Sequence, residues 1–213
     1  MIHIQEVVGS NPALPTTRLT AFARGKPQIT SEASDFERSR EAKLMKTSAG
    51  LLVYRKHKGQ VEALIAHPGG PFFARKDEGF WSIPKGLHNN GEDPLSAAKR
   101  EYEEEIGSPP PIGEYLELGE IKRQDGKIIK AWAVKGDVNE KKIKSNFFEL
   151  EWPPRSGKKE EFPEIDRAIW ASLEVAARKI QPAQIEFLRR LAKHLKTDFE
   201  PPMMALPKQN TLF

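Results

Sequence analysis

Residues 86–107 read GLHNNGEDPLSAAKREYEEEIG, and this stretch carries more structural information than any other part of the sequence. Asp93 is a favourable N-cap residue, and Pro94 suits the first position of a helix. Gly107 can adopt the left-handed conformation that ends many helices. The stretch therefore predicts a helix over residues 93–106 that follows a glycine-containing loop.

Three carboxylates of this helix, Glu101, Glu104 and Glu105, have the i, i+3, i+4 spacing that places side chains on one face. They repel one another, and they lie near the helix C-terminus, where the macrodipole disfavours anions. A cluster of oxygen ligands with this charge suits a hard divalent cation such as Mg²⁺ or Mn²⁺. A solvated acidic face is the alternative. The cluster borders the apolar face of its helix and follows a glycine loop, which favours the metal site. The apolar face comprises Leu95, Ala98, Tyr102 and Ile106.

Apolar runs on both sides of this helix predict strands and further helices. The strand candidates are AGLLVYR and VEALIAHP around a KHKGQ turn, Tyr115–Arg123 and Lys127–Lys135 around QDG, Phe147–Trp152, and Ala168–Ala171. Phe72, Phe73 and Phe80–Ile83 also have β character. Helices are predicted over Leu173–Lys179 and Pro182–Leu195. Strands on both sides of one helix, with helices at the end, predict an α+β fold with a mixed β-sheet covered by helices.

The composition divides the chain into one packed domain and two extensions. Residues 1–46 are rich in polar residues and proline without sustained periodicity, which predicts a largely disordered or loosely docked extension. The sequence allows a short helix over residues 34–46 within it, and Met45 is a candidate for an alternative translation start. Residues 47–196 hold the periodic pattern and form the predicted domain, and residues 197–213 form a tail.

The absence of cysteine excludes disulfides, thiolate nucleophiles and cysteine-ligated zinc sites. The sequence contains no run of eighteen apolar residues, and its first residues lack the pattern of a secretory signal. We therefore expect a protein of a reducing compartment, the cytoplasm, with no membrane partner.

The spacing of the acidic helix resembles the Nudix box. The matching positions are Gly86, Glu92, Arg100, Glu101, Glu104, Glu105 and Gly107. Agreement at seven fixed positions, each met by chance at roughly 6% frequency, makes this a specific signal. Two positions that are usually aliphatic hold Tyr102 and Ser108. The lead-in WSIPKG, residues 81–86, looks like that of Nudix hydrolases acting on dinucleoside polyphosphates.

The resemblance implies the Nudix fold, an α/β/α sandwich over about residues 47–196, and assigns roles to the box. Glu101, Glu104, Glu105 and the carbonyl of Gly86 would hold Mg²⁺ or Mn²⁺. By the same resemblance Arg100 would pair with these carboxylates and fix their rotamers, and Glu92 would support the loop.

The general base is left open among three glutamates. In the family it is a box glutamate, here Glu104, or a glutamate on a later loop. The six-residue spacing of Glu164 and Trp170 matches dinucleoside tetraphosphate hydrolases, which favours Glu164, with Glu161 in reserve. A solvated acidic loop is the alternative interpretation of this segment.

Substrate contacts are expected from Lys85, His88, Arg75 and Lys122. Lys85 precedes the glycine of the box and can stabilise phosphate charge. The other three are weaker candidates, because an ordinary surface cation or a solvated loop histidine explains each. Aromatic platforms for a base are Trp132, Phe147 and Phe148, unless these are core residues. Residues 153–159, PPRSGKK, form a basic loop that either reaches polyphosphate or merely connects strands.

The resemblance and the charges together favour a metal-dependent pyrophosphohydrolase. Residues 86–107 hold six acidic and two basic side chains, a net −4, whereas the rest carries +8 and the whole chain +4. Dinucleoside polyphosphates are the first substrate class, followed by nucleoside triphosphates, oxidised ones included, and RNA 5′ ends.

Two functions of a different class are weighed against hydrolysis. The first is a non-catalytic nucleotide-binding Nudix module, which is disfavoured because every box carboxylate is present. The second is a nucleic-acid-binding protein, and a nucleic-acid partner is disfavoured because no recognised motif occurs. We expect a monomer or a homodimer.

Overall fold

A computed structural model describes residues 47–89 and 91–201 of the chain. The helix predicted over residues 34–46 lies outside these ranges. None of the helices within them is long and apolar enough to cross a membrane.

The described residues form eight strands and three α-helices. The strands are β1 (Thr47–His57), β2 (Gln60–Pro68), β3 (Lys85–Leu87), β4 (Tyr115–Lys122), β5 (Ile128–Lys135), β6 (Phe147–Glu151), β7 (Lys159–Pro163) and β8 (Ile165–Ser172). The helices are α1 (Pro94–Ile106), α2 (Leu173–Lys179) and α3 (Ile185–Leu195), with short 3₁₀ turns at Glu140–Lys142 and Pro182–Gln184.

A mixed six-stranded sheet is the centre of the fold. Its strands lie in the order β4-β5-β1-β2-β8, and β3 pairs with the beginning of β1. The pairing of β1 with β5 is parallel and the other pairings are antiparallel. β1 and β2 are buried along most of their length, as expected of central strands covered on both faces.

Each face of the sheet packs against helices through its own core. Helix α1 contributes Ala98, Tyr102 and Ile106 to one core, with Leu51 and Val53 of β1. Helices α2 and α3 cover the other face, and residues of both helices pack there with Leu52, Ile65 and Trp81. This arrangement confirms the predicted α+β fold with a mixed sheet flanked by helices.

The ends of α1 follow from its sequence. The Asp93 side chain accepts a hydrogen bond from the Ser96 amide at 2.9 Å, and Pro94 opens the first turn. At the other end Gly107 has φ of 77°, and its amide donates to the carbonyl of Glu103. Leu95 is half-buried beside the three buried residues of the apolar face. The capped helix and its apolar face are thus confirmed.

The structure corrects several strand and helix predictions. Phe72 and Phe73 lie in turns rather than a strand, and residues 80–83 contribute only isolated bridges at Trp81 and Ser82. Strand β7 has no sequence signal, because its side chains KEEFP do not alternate in polarity. The final helix begins at Ile185, after a 3₁₀ turn at Pro182–Gln184.

A hairpin of β6 and β7 stands apart from the main sheet and is joined to the end of α1. The amide of Asn146 donates to the carbonyl of Glu104 at 3.1 Å, and the amide of Lys144 donates to that of Ile106 at 3.2 Å. The amide of Glu164, after the hairpin, donates to the carbonyl of Asn146 at 2.8 Å. These bonds bring Glu164 beside the acidic face of α1.

Candidate active site

Arg100 is the centre of the acidic cluster. Its guanidinium binds Glu92 through Nε and Nη2 at 2.9 and 3.0 Å. Its Nη1 binds Glu101 at 2.8 Å and Glu104 at 3.1 Å, and its Nη2 also donates to the carbonyl of Leu87. These bonds lower the pKa of Glu92 to about 2, with the hydrogen bonds from Arg100 as the largest cause. One cation thus fixes the rotamers of three carboxylates and ties the loop to the helix.

Glu105 is a partly buried carboxylate of the cluster that bonds to the backbone beside Gly86. Its Oε2 accepts a hydrogen bond from the backbone amide of Lys85 at 2.8 Å. Desolvation, together with the nearby charges of Glu101 and Glu164, raises its pKa to about 8 against the opposing effect of Lys85. A desolvated carboxylate among other carboxylates lacks a sufficient counterion.

Gly86 lies against the carboxylate of Glu101. A Cβ atom at this position would overlap both carboxylate oxygens, so only glycine lets the Glu101 side chain approach the loop. Glu101 itself is half-buried, and its desolvation raises its pKa. The close approach explains why the box requires glycine at this point.

Glu164 is the later glutamate that the fold brings to the box. Its negative charge raises the pKa of both Glu101 and Glu105. Its backbone is held on both sides, by Asn146 and by the amide of Gly69 at 2.9 Å. Glu161 instead lies exposed on β7, opposite Glu149 in the hairpin. The structure therefore brings Glu164 and Glu104 near the box and leaves Glu161 on the hairpin.

The residues of this cluster fit a hard divalent cation in chemistry and charge. Among the described residues, its five carboxylates face two cations, Arg100 and Lys85, and every donor is oxygen. Within residues 47–89 and 91–201 no three such side chains already converge on one point. The carboxylates do not converge because Arg100 bonds to both Glu101 and Glu104. Glu105 in turn bonds to the Lys85 amide. The carboxylates of Glu101, Glu104 and Glu105 are the set that would hold the ion, together with the carbonyl of Gly86.

Three of the four residues predicted to contact the substrate lie at the same end of the sheet, and the fourth lies in a different loop. Lys85 lies in β3 at the box, and the amide of His88 donates to the carbonyl of Thr47 at 3.4 Å. Lys122 ends β4 at the same end of the sheet, since its partner Ile128 pairs in turn with Thr47. Arg75 lies in the loop between β2 and β3, away from this group.

The three aromatic residues predicted as platforms for a base differ in how exposed their rings are. Trp132 is buried in the core beneath α1, which leaves it no face for a base. Phe148 packs against Phe162 across the hairpin at a centroid distance of 6.2 Å. Phe147 is 65% exposed and directly follows Asn146, which is bonded to the box helix. Of the three candidates, only Phe147 offers an open ring beside the site.

Two residues that orient the site could not be found from the sequence. Asn146 and Gly69 hold the backbone of Glu164 through their own backbone groups. Backbone hydrogen bonds of this kind produce no pattern of side chains in the sequence. They form only because the residues that flank the β6–β7 hairpin pack against α1. Trp170 is different, because its ring nitrogen donates to the carbonyl of Val138 at 2.9 Å and so anchors β8.

The chain is similar to known proteins in both sequence and fold. The sequence model of the NUDIX domain matches residues 45–191. A Caenorhabditis elegans Ap4A hydrolase, solved as a binary complex, is 23% identical with a TM-score of 0.51, over 70% of this chain and 98% of that chain. The NUDIX domain of Shewanella oneidensis NrtR, complexed with ADP ribose, is 13% identical with a TM-score of 0.53, over 78% of this chain and 99% of that chain.

The structural likenesses fall below 25% identity and show the fold alone. No curated protein matches the sequence. The family match spans most of the chain and includes every residue of the acidic cluster. The chain therefore belongs to the NUDIX domain family.

Proposed function

We propose that this protein hydrolyses a dinucleoside polyphosphate in a reaction that requires Mg²⁺ or Mn²⁺. The observation that carries the proposal is the excess of carboxylates around Gly86, with Glu105 partly buried and short of a counterion. A bound divalent ion supplies charge neutralisation for a diphosphate and lowers the pKa of a coordinated water. We assign its ligands to Glu101, Glu104, Glu105 and the carbonyl of Gly86.

The remaining residues of the site act on the substrate and on the attacking water. Glu164 accepts the proton of the water whose oxygen attacks phosphorus, while the anhydride P–O bond breaks and the second nucleotide departs with the bridging oxygen. Glu104 is the alternative base. Lys85 binds the phosphate chain and offsets the negative charge that builds on it. Arg100 positions Glu101 and Glu104 through the bonds described above.

The substrate class is supported by two features of the chain. The lead-in WSIPKG and the spacing of Glu164 and Trp170 resemble those of dinucleoside polyphosphate hydrolases. The likeness to the C. elegans Ap4A hydrolase agrees with this choice. The exposed ring of Phe147 is our candidate platform for a base, and His88 and Lys122 are further candidates for phosphate contact. A chain without cysteine suits a reducing compartment, and we propose the cytoplasm.

A substrate panel tests the proposal. The full chain is incubated with Mg²⁺ and diadenosine tetraphosphate, a nucleoside triphosphate, an oxidised nucleoside triphosphate, triphosphorylated RNA and ADP-ribose. ADP-ribose is included because it was bound to the Shewanella domain. We expect the tetraphosphate to have the highest kcat/KM, with products from cleavage of one anhydride bond. Preferential cleavage of another compound would overturn the substrate class, and cleavage of none would overturn the proposed activity.

The base is assigned by comparing two conservative variants. Glu164→Gln is expected to lower kcat about 10²–10⁴-fold, the range typical of general-base catalysis, while the metal affinity changes little. Glu161→Gln, on the exposed face of the hairpin, is the matched control and should retain activity. Equal loss in both variants would contradict the assignment of Glu164.

A further inference from the structure

A cation-rich depression lies on the face of the sheet opposite α1. It has a volume of about 440 Å³ and is formed by the loop after β2, the start of β8 and the end of α2. Its cations are Arg75, Lys76, Arg167 and Lys179. The position follows from register, because Arg167 is paired with His67, whose ring packs on Trp81 of the core beneath α2 and α3.

The cations exceed the carboxylates around this depression. Asp77 pairs with Lys179, with both carboxylate oxygens at 2.7 Å from Nζ. Asp166 is bonded to His67 at 2.8 Å and lies 3.9 Å from Arg167. Within the described part of the chain Arg75 and Lys76 form no ion pair. Four cations against two carboxylates leave two positive charges without a partner.

The floor of the depression is held by buried and bonded groups. The ring of His67 is fully buried and bridges Asp166 to the carbonyl of Lys76, with 2.8 Å on each side. The indole nitrogen of Trp81 donates to Asp77 at 2.7 Å. The guanidinium of Arg167 and the ammonium of Lys179 lie 5.5 and 5.3 Å from the Trp81 ring. Arg167 and Lys179 are therefore held in place before any ligand arrives, which lowers the entropy cost of binding.

The loop that carries Arg75 and Lys76 also reaches the candidate active site. It begins at Gly69, whose amide binds the carbonyl of Glu164. Arg167 follows Glu164 by three residues, so their Cα atoms are at most about 11 Å apart along an extended chain. Glu164, the proposed catalytic carboxylate, thus immediately precedes the edge strand β8, and Arg167 is the third residue of that strand.

We propose that this depression is a second phosphate-binding site, separate from the carboxylate cluster. Its ligand is the phosphate portion of a nucleotide, held by Arg75 and Arg167 as hydrogen-bonding cations with Lys76 and Lys179 beside them. The phosphates belong either to the far end of the substrate, an assignment that rests on the proposed function, or to a free nucleotide. The excess of positive charge favours phosphate over a base or a lipid chain.

Calorimetric titration of the full chain with inorganic tripolyphosphate tests this site directly. EDTA is present, so that phosphate cannot bind through a metal at the carboxylates. Arg75→Gln combined with Arg167→Gln is expected to weaken binding at least about tenfold, because two charge-assisted bonds are lost. Arg75→Lys with Arg167→Lys should retain part of the affinity. The matched control is Arg189→Gln with Lys193→Gln on α3, which removes the same charge elsewhere and should change the affinity less than about twofold.

Three results would overturn the proposal. The first is that the wild type does not bind tripolyphosphate. The second is that the Arg75→Gln/Arg167→Gln variant and the Arg189→Gln/Lys193→Gln control weaken binding equally. The third is that neither variant weakens binding. Circular dichroism of each variant checks that the fold persists, and the lysine pair provides the test if the glutamine pair fails to fold.

Steady-state kinetics with Mg²⁺ and diadenosine tetraphosphate then distinguishes the two sources of phosphate. If the Arg75→Gln/Arg167→Gln variant has a raised KM and has lost tripolyphosphate binding, the site binds the phosphates of the substrate. An unchanged KM with the same loss of binding assigns it to a free nucleotide. Failure of the wild type to hydrolyse the tetraphosphate would overturn the proposed activity and leave the titration result intact.

Discussion

Arg100 shows how one residue organises the site at the smallest scale. Its guanidinium contacts three carboxylates and the carbonyl of Leu87, so it links the loop before α1 to the helix itself. The resemblance to the box predicts pairing with carboxylates. The bidentate bond to Glu92 and the bond to Leu87 depend on the loop conformation and could not be predicted from spacing.

The Glu92 bond gives a prediction about stability and pH. Arg100 lowers the pKa of Glu92 to about 2 from an ordinary value of 4.5. A carboxylate whose pKa is lower in the folded state than in the unfolded state stabilises the fold at pH values above its unfolded-state pKa. That stability is lost as pH falls from about 4.5 to about 2. We expect Glu92→Gln to cost about 1–2 kcal/mol at pH 7 in EDTA, because the pair is partly exposed. The difference from wild type should shrink toward pH 2.5.

Urea unfolding at both pH values measures this effect. Glu103→Gln, on the exposed side of the same helix, removes the same charge outside the Arg100 cluster and serves as the control. A Glu92→Gln penalty that stays constant between pH 7 and pH 2.5 would contradict the role assigned to Arg100.

Gly86→Ala tests the close approach of the loop to Glu101. The added Cβ would overlap the Glu101 carboxylate, so this side chain or the loop must move. We expect kcat/KM to fall about 10²-fold, since small displacements of catalytic groups have effects of this size. Gly113→Ala is the control, because its Cβ would meet only ordinary contacts near 3.7 Å. Activity of Gly86→Ala near the wild-type value would show that the approach is unimportant.

At the scale of elements, the end of α1 and the β6–β7 hairpin form one unit. Gly107 ends the helix in a left-handed conformation, and the chain later returns so that Lys144 lies against it. The position of Gly107 in the sequence predicts the cap. The contact with Lys144 was beyond prediction, because residues 136–146 have no periodic pattern that determines their path.

Gly107→Ala is therefore expected to have two separable costs. Alanine at φ of 77° costs about 1 kcal/mol, and overlap with the Lys144 backbone adds about 1–3 kcal/mol. Gly126→Ala, at φ of 82° with no atom within 4 Å, incurs only the first cost. The free energies of unfolding of the two variants, measured in urea, should therefore differ by the cost of the overlap with Lys144. Equal values would mean that the return of the chain to α1 adds no constraint.

At the scale of the whole molecule, the long apolar strands and the capped helix determine the fold well enough for it to be predicted. Strands β1, β2, β4, β5 and β8 each have a sequence signal, because burial on one or both faces leaves an apolar pattern. Short or exposed strands such as β3 and β7 are held by backbone pairing and leave none. We propose residues 47–196 as the extent of the domain.

The candidate site was predictable in part for the same reason. The box carboxylates lie within one helix, so their spacing alone places them together. Glu164 is distant in sequence, and only the resemblance suggests it. The four-cation depression draws on three separate segments, and no spacing in the sequence connects Arg75 with Arg167.

The central claim is that the carboxylate cluster holds a divalent ion for phosphate hydrolysis. The most direct measurement is the rate of diadenosine tetraphosphate hydrolysis as Mg²⁺ is titrated into metal-free protein, for wild type and Glu105→Gln. We predict no turnover without metal, saturating activation of the wild type, and a rate at least about 10²-fold lower in the variant. Hydrolysis in EDTA at the full rate, or equal activation of both proteins by Mg²⁺, would contradict the claim.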